Sequence, residues 1–210
     1  VNESYSAEFV FSGISCMIVP VDPTPFDGFV ATSQEVTGGI LGTNPLLTDG
    51  LNALLASNLE NFPFLLEVAD LDDPTYTNDD NITLNTYGGV DADGDSTNNN
   101  SGVNEFLIDS ESYDDNGNIV SQFPNGDIVN NLLTAGPGTI VISGIPLNNL
   151  TVAATFSETT TPGVFEFTST PTSAFLTESF LVTLPAPDPF TGTLVDVLDS
   201  FGIFPDVDAD

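Results

Sequence analysis

The chain of 210 residues contains no lysine, no arginine and no histidine. Lys and Arg side chains neutralise nucleic-acid phosphates and attach proteins to anionic membrane surfaces. The composition therefore excludes nucleic acids and anionic membrane surfaces as partners. It also excludes Ser-His-Asp triads, Schiff-base lysines and zinc sites of the His/Cys type.

Cysteine and tryptophan are also scarce. Cys16 is the only cysteine, so no intrachain disulfide can form. Its apolar neighbours Met17 and Ile18 predict a buried structural thiol, and an intermolecular disulfide is the alternative. Tryptophan is absent and only four tyrosines occur, which leaves little aromatic surface for stacking on sugars. No run of about 20 apolar residues predicts a membrane span.

The chain is rich in acidic and in hydrophobic residues. All 31 charged residues are Asp or Glu, which gives a formal charge of −31, yet 40% of the residues are hydrophobic, including sixteen phenylalanines. Disordered acidic segments combine high charge with low hydrophobicity, so this composition predicts a folded core instead. Adaptation to salt and resistance to trypsin-like proteases are two alternative explanations of the acidity. Contact between two copies would need apolar burial or divalent cations to offset the repulsion.

Short runs of alternating apolar and polar residues, separated by Gly, Pro, Asn and Asp, predict antiparallel strands. The N-terminal run places Tyr5, Ala7, Phe9 and Phe11 on one face. Further strands are predicted over 64–68, 82–87, 103–108, 118–123, 128–133, 139–143, 150–156, 165–167 and 180–184. A turn at 124–127 would join two of these strands, and a second turn is predicted at 115–117.

Apolar residues recur at helical spacing in two segments of the chain. Asn44 and Pro45 offer a cap and a first position for a helix, Gly50 moves the predicted start towards Asp49, and Pro63 ends it. A second short helix is predicted from Thr193. We therefore expect a mainly β chain, an antiparallel β-sandwich or jelly roll with one inserted helix and an N-terminal strand extension. Residues 1–25 would form the extension and its Pro-rich tether, and 26–210 the sandwich domain with a C-terminal tail.

The acidic residues cluster between 70 and 127. Within this stretch Asp91, Asp93 and Asp95 alternate with small residues, as the first ligands of calcium loops do. The match covers only residues 91–95. Its glycine, Gly94, stands at position 4 of the loop, whereas an EF-hand loop has glycine at position 6. A solvated acidic loop is the alternative. The predicted cofactor, if any is bound, is calcium.

A pair of carboxylates is the one type of catalytic site that remains possible with this composition. No Asp-Thr-Gly or Asp-Ser-Gly turn of the aspartic-protease type occurs, and among 31 acids some pair will always lie close. We therefore expect no enzymatic activity. The alternative is a hydrolase whose active site consists of two carboxylate side chains.

Sequons at Asn2, Asn81, Asn99 and Asn149 are typical of a secreted chain. The first residue is Val1, and no charged leader precedes an apolar segment, so we expect a processed, extracellular protein.

The layout resembles donor-strand-assembled extracellular fibre subunits, such as chaperone–usher pilins and biofilm-matrix fibre proteins. The residues that carry the resemblance are Tyr5, Ala7, Phe9 and Phe11, followed by prolines and then a Thr/Asn/Gly-rich β domain. The resemblance implies a sandwich fold, head-to-tail polymerisation of identical copies and no catalysis. The disulfide common in chaperone–usher pilins is missing.

The sequence therefore predicts a pilus-like structural subunit that polymerises by inserting its N-terminal strand into a neighbouring copy. The alternative is a secreted calcium-dependent adhesin or carbohydrate-binding module.

Overall fold

The computed structural model describes residues 3–20, 24–95, 97–142, 145–187 and 190–208. Antiparallel strands dominate, as expected from the alternating runs. The strands are β1 Glu3–Val19, β2 Phe26–Gly38, β3 Phe64–Ala69, β4 Asn78–Asp91, β5 Glu105–Ile108, β6 Ser121–Val129, β7 Leu132–Ile142, β8 Ile145–Glu158, β9 Phe165–Ser169, β10 Thr172–Thr177 and β11 Val207–Asp208. The α-helices are α1 Pro45–Asn61, α2 Glu178–Leu181 and α3 Leu194–Ser200, and short 3-10 helices span Ile40–Gly42 and Ser110–Ser112.

The strands close into an eight-stranded antiparallel β-barrel, and the predicted sandwich or jelly roll is wrong. Neighbouring strands follow the order β1, β2, β3, β4, β6, β7 and β8. The short strands β9 and β10 together fill the eighth position, since both pair with β8 on one side and with β1 on the other. Alternation within strands is the same in a sandwich and in a barrel, so it cannot reveal the pairing of the first strand with the last.

Four local predictions also differ from the structure. The expected turn at 124–127 lies inside β6, where Asn125 adopts a positive φ of 59°. The chain reverses instead at Asn130 and Asn131, both with positive φ, so the strand predicted over 128–133 is also wrong. Residues 180–184 were predicted as a strand but form α2 and the turn after it. The first helix begins at Pro45, before Asp49, because the Asn44 side chain accepts hydrogen bonds from the amides of the first turn.

The main core fills the barrel interior and continues beneath the helices. An aromatic cluster of Phe29, Tyr76, Phe156, Phe165 and Phe167 lies inside, with contacting ring centroids 4.6 to 6.4 Å apart. At the end of the barrel where β1 begins, buried leucines of α1, α2 and α3 pack against the strands. The helices thus cover that end of the barrel.

A second, smaller core lies on the outer face of the barrel. The strand β5 pairs in parallel with β1 at Met17 to Val19 and antiparallel with β4 at Gly89 to Asp91. Its side chains Phe106 and Ile108 cover Val30 and Leu65, which point away from the barrel interior. The connection from β4 to β6 therefore forms a strap across the outside of the sheet.

Candidate functional site

The N-terminal strand β1 is a full member of the barrel. Its predicted apolar face is confirmed as buried: Tyr5, Ala7, Phe9 and Phe11 are 0%, 1%, 2% and 6% exposed. One edge of β1 pairs with β2 from Glu8 to Ile18, and the other pairs with β10 and β9. In this single chain the strand therefore completes its own barrel, and residues 3–19, assigned to an extension from the sequence, lie inside the folded unit.

The buried side of β1 changes after Gly13. Odd residues of β1 from Tyr5 to Gly13 are buried in the barrel interior, whereas the even residues Cys16 and Ile18 point outward into the outer core. The register shift between Ser12 and Gly13 comes from an extra residue in β2, where their partners are Ser33 and Ala31. A Cβ atom at Gly13 would lie 2.2 Å from a ring carbon of Phe167 and 2.6 Å from the carbonyl oxygen of Val30. Only glycine fits this close approach, so Gly13 fixes how β1 fits between its neighbours.

At the start of β1 the Tyr5 hydroxyl is buried and has no hydrogen-bond partner among the described residues. Burial raises the pKa of Tyr5 to about 12, and the nearby carboxylates of Glu178 and Asp199 add to the shift. The side chain therefore stays neutral at any physiological pH. It acts here as a large apolar anchor beneath the helices.

Cys16 is buried, as the sequence predicted. The side chain is 4% exposed and free. Burial, and secondarily the Asp27 carboxylate, raises the pKa of the Cys16 thiol to about 12. Both effects oppose formation of a thiolate, so an intermolecular disulfide through Cys16 would require β1 to leave its place.

The carboxylates at Asp91, Asp93 and Asp95 bind the backbone of their own loop. Asp91 accepts a hydrogen bond from the amide of Asp93 at 3.1 Å, and Asp93 accepts one from the amide of Asp95 at 2.8 Å. Hydrogen bonds from the Asn98 side chain and the Asp95 amide lower the pKa of Asp93. Within the described ranges no three acidic, thiol or imidazole groups are arranged to hold a metal ion. The calcium site stays a prediction from sequence.

The sequons differ in their surroundings. Asn81 and Asn149 are exposed, whereas Asn99 is half-buried and its side-chain oxygen accepts a hydrogen bond from Asn104 at 2.8 Å. Asn2 lies outside the described residues. Exposure makes Asn81 and Asn149 the positions best placed to carry a glycan.

A polar network on the outer face was not predicted from the sequence. One carboxylate oxygen of Glu67 accepts hydrogen bonds from the Tyr87 hydroxyl at 2.5 Å and from Asn85 at 2.7 Å, and Gln122 donates to Asn85 at 2.9 Å. Burial and the Glu67 contact raise the pKa of Tyr87. These residues meet only through the register of β3, β4 and β6, so the sequence carries no local signal for them. The network joins the three strands beneath the strap.

Small voids lie in the apolar core. One void of about 30 Å³ lies between the helices and the strands, and another of about 20 Å³ lies between Phe11, Leu84 and Leu150. A larger groove of about 460 Å³ lies outside, at the end of the barrel near the β1–β2 connection. It is lined by Met17, Asp27, Tyr76, Val103 and Val164, among others.

The described helices include none that is long and apolar enough to cross a membrane. Comparison of the chain with protein-family models, with curated proteins and with solved structures gives no match.

Proposed function

We propose that the protein is a structural, non-catalytic subunit of an extracellular filament, in which β1 is exchanged between identical copies. The observation that supports this proposal best is the position of β1. It is the first of the described strands, it supplies four buried apolar side chains to the main core, and residues 20–25 connect it to the next strand.

Exchange of a terminal strand keeps every native contact, because the strand of a second copy makes the same pairs and fills the same core positions. Without β1 the barrel has two unpaired edges, along β2 and along β9 and β10. Such edges readily pair with a strand from another chain. A chain of copies, each completing the next, would bury all of these edges.

The charge of −31 sets the conditions under which such a filament forms. Two acidic surfaces repel each other in solution at low ionic strength, and salt screens this repulsion within about 8 Å at physiological concentration. Tyr5, Phe9 and Phe11 are already buried in the single chain, so their insertion into a neighbour replaces that burial and adds none to offset the repulsion. Filament formation should therefore increase with salt.

Negative-stain electron microscopy of the purified protein tests the proposal. Wild-type protein should form filaments in physiological salt, and a variant that lacks residues 1–19 should form none. A Val129→Ala variant is a suitable control, because this side chain is 57% exposed on β6 and takes no part in β1 pairing. Filaments that survive the deletion would refute the proposal.

A second candidate function is a secreted calcium-dependent binding module. The observation in its favour is that Asp91 at the end of β4, together with Asp93 and Asp95 just after it, belongs to the same segment as the groove residues Gly102 and Val103. Retention of the protein on a glycan array in calcium but not in EDTA would support it. Equal retention under both conditions, or none, would count against it.

A further inference from the structure

The C-terminal segment lies across the beginning of β1. Pairing of β1 with β2 ends where Glu8 faces Gly38, so the edge of β1 before that point has no partner from β2. The strand β11 takes this edge and pairs antiparallel with Glu3 and Ser4. Residues 204–208, here called the C-terminal latch, thus complete the pairing of β1.

The side chain of Asp206 is the centre of this contact. Its two carboxylate oxygens accept hydrogen bonds from the Ser6 amide at 2.7 Å and from the Ser6 hydroxyl at 2.5 Å. The Asp206 amide donates to the Ser4 carbonyl at 3.1 Å. Hydrogen bonds to an ionised carboxylate are stronger than bonds between neutral groups, so Asp206 holds both the backbone and the side chain of β1.

The latch follows directly after a residue of the main core. Ile203, just before it, is 8% exposed and belongs to the main core, whereas Phe204 is 62% exposed. The latch itself contacts β1 mainly through hydrogen bonds at the surface. Contacts of this kind open at a lower free-energy cost than the buried core, so the latch can release while the barrel stays folded.

We propose that the C-terminal latch controls when β1 can leave the barrel. With the latch closed, the beginning of β1 is paired on both edges and the subunit remains closed on its own strand. Release of the latch frees the edge of β1 at Glu3 and Ser4, whereas the Ser6 hydroxyl keeps the hydrogen bond that it accepts from the Ile40 amide at 3.0 Å. The strand can then detach from its beginning towards the β1–β2 connection. The importance of this control for assembly rests on the proposed exchange of β1.

Hydrogen–deuterium exchange of the full-length monomer, read by pepsin digestion and mass spectrometry, tests the latch without requiring filaments. In Asp206→Ala, amides of residues 4–8 should exchange at least about tenfold faster than in wild type, because two hydrogen bonds to a carboxylate are lost. Truncation after Ile203 should give a larger effect. Amides of β3 should keep their wild-type rates in both variants.

Asp115→Ala is the matched control, since Asp115 is exposed, distant in the chain from β1, and its loss changes the charge by the same amount. It should leave all rates unchanged. Unchanged exchange at residues 4–8 in both latch variants would overturn the proposal. So would an equal acceleration in every strand, which would mean that Asp206 stabilises the whole fold.

Uptake of a labelled peptide of residues 1–19 by the same full-length variants separates the latch from the proposed function. Faster uptake by Asp206→Ala than by Asp115→Ala supports both. Local acceleration of hydrogen exchange, without peptide uptake by any variant and without filaments, supports the latch contact and contradicts the exchange of β1 between copies.

Discussion

Replacement of Phe9 by alanine measures how much β1 contributes to the barrel. The ring is 2% exposed and lies among Val36, Leu51 and Leu176, where β1, β2, β10 and α1 meet. Removal of a fully buried phenylalanine side chain costs about 3–5 kcal/mol, through lost transfer free energy and the remaining cavity. A void of about 30 Å³ already lies beside the ring, so the site has not collapsed around it and the expected loss is in the upper half of that range.

Urea unfolding followed by circular dichroism gives the measurement. With an m value of about 2 kcal/mol per molar urea, a loss of about 4 kcal/mol lowers the midpoint by about 2 M, with the slope unchanged. The Val129→Ala control should change the free energy of unfolding by less than about 1 kcal/mol. A Phe9→Ala midpoint within about 0.3 M of wild type would show that β1 is not packed into the barrel as described.

Three further predictions concern single groups. Cys16 should resist iodoacetamide at pH 8 in the folded protein and react fully in denaturant, because burial raises its pKa to about 12; rapid labelling of the native protein would show that β1 opens readily. Hydrogen bonds from Thr75 and from Asn118 hold the pKa values of Asp73 and Asp114 at about 2, so the stability they contribute is present above about pH 4 and is lost as the pH falls towards 2. The melting temperature of Asp73→Ala/Asp114→Ala should therefore lie below that of wild type at pH 5 and match it near pH 2, and a constant gap would contradict this cause. Calcium should raise the melting temperature of wild type but not of Asp91→Ala/Asp93→Ala/Asp95→Ala, and an equal calcium response in both would exclude this loop as the site.

Features encoded by neighbouring residues were predicted well from the sequence. The inward row of β1 follows from strict alternation, and α3 follows from Thr193, whose side chain caps the amide of Asp196 while Asp196 caps Thr193 in return. Residues 115–117 also form the predicted turn, in which the Gly117 amide donates to the Asp114 carbonyl at 2.9 Å.

Features encoded by distant pairing were not predicted. Closure of the barrel depends on β1 meeting β9 and β10, more than 150 residues away in sequence, and alternation is the same with or without that contact. The Glu67 network and the contact of Asp206 with Ser6 likewise depend on register between separate strands. The error at 124–127 has a local origin, because Asn125 and Gly126 suit a strand irregularity as well as a turn.

The burial of Val30 and Leu65 could not be predicted from the sequence, for a related reason. Both residues occupy outward positions of the barrel, and only the strap formed by β5 makes them part of a core. A sequence that is apolar on both faces of a strand indicates a second covering layer, but it does not identify the segment that supplies it.

The most direct test of β1 exchange is strand complementation in trans. A variant that lacks residues 1–19 is mixed with a synthetic peptide of those residues, and binding is followed by fluorescence anisotropy and by thermal unfolding. The peptide should bind one-to-one and raise the melting temperature, and excess peptide should inhibit the growth of wild-type filaments. A peptide carrying the equivalent of Phe9→Ala should bind much more weakly. Failure of the truncated protein to bind the wild-type peptide, or filament growth that excess peptide leaves unchanged, would contradict the exchange of β1 between copies.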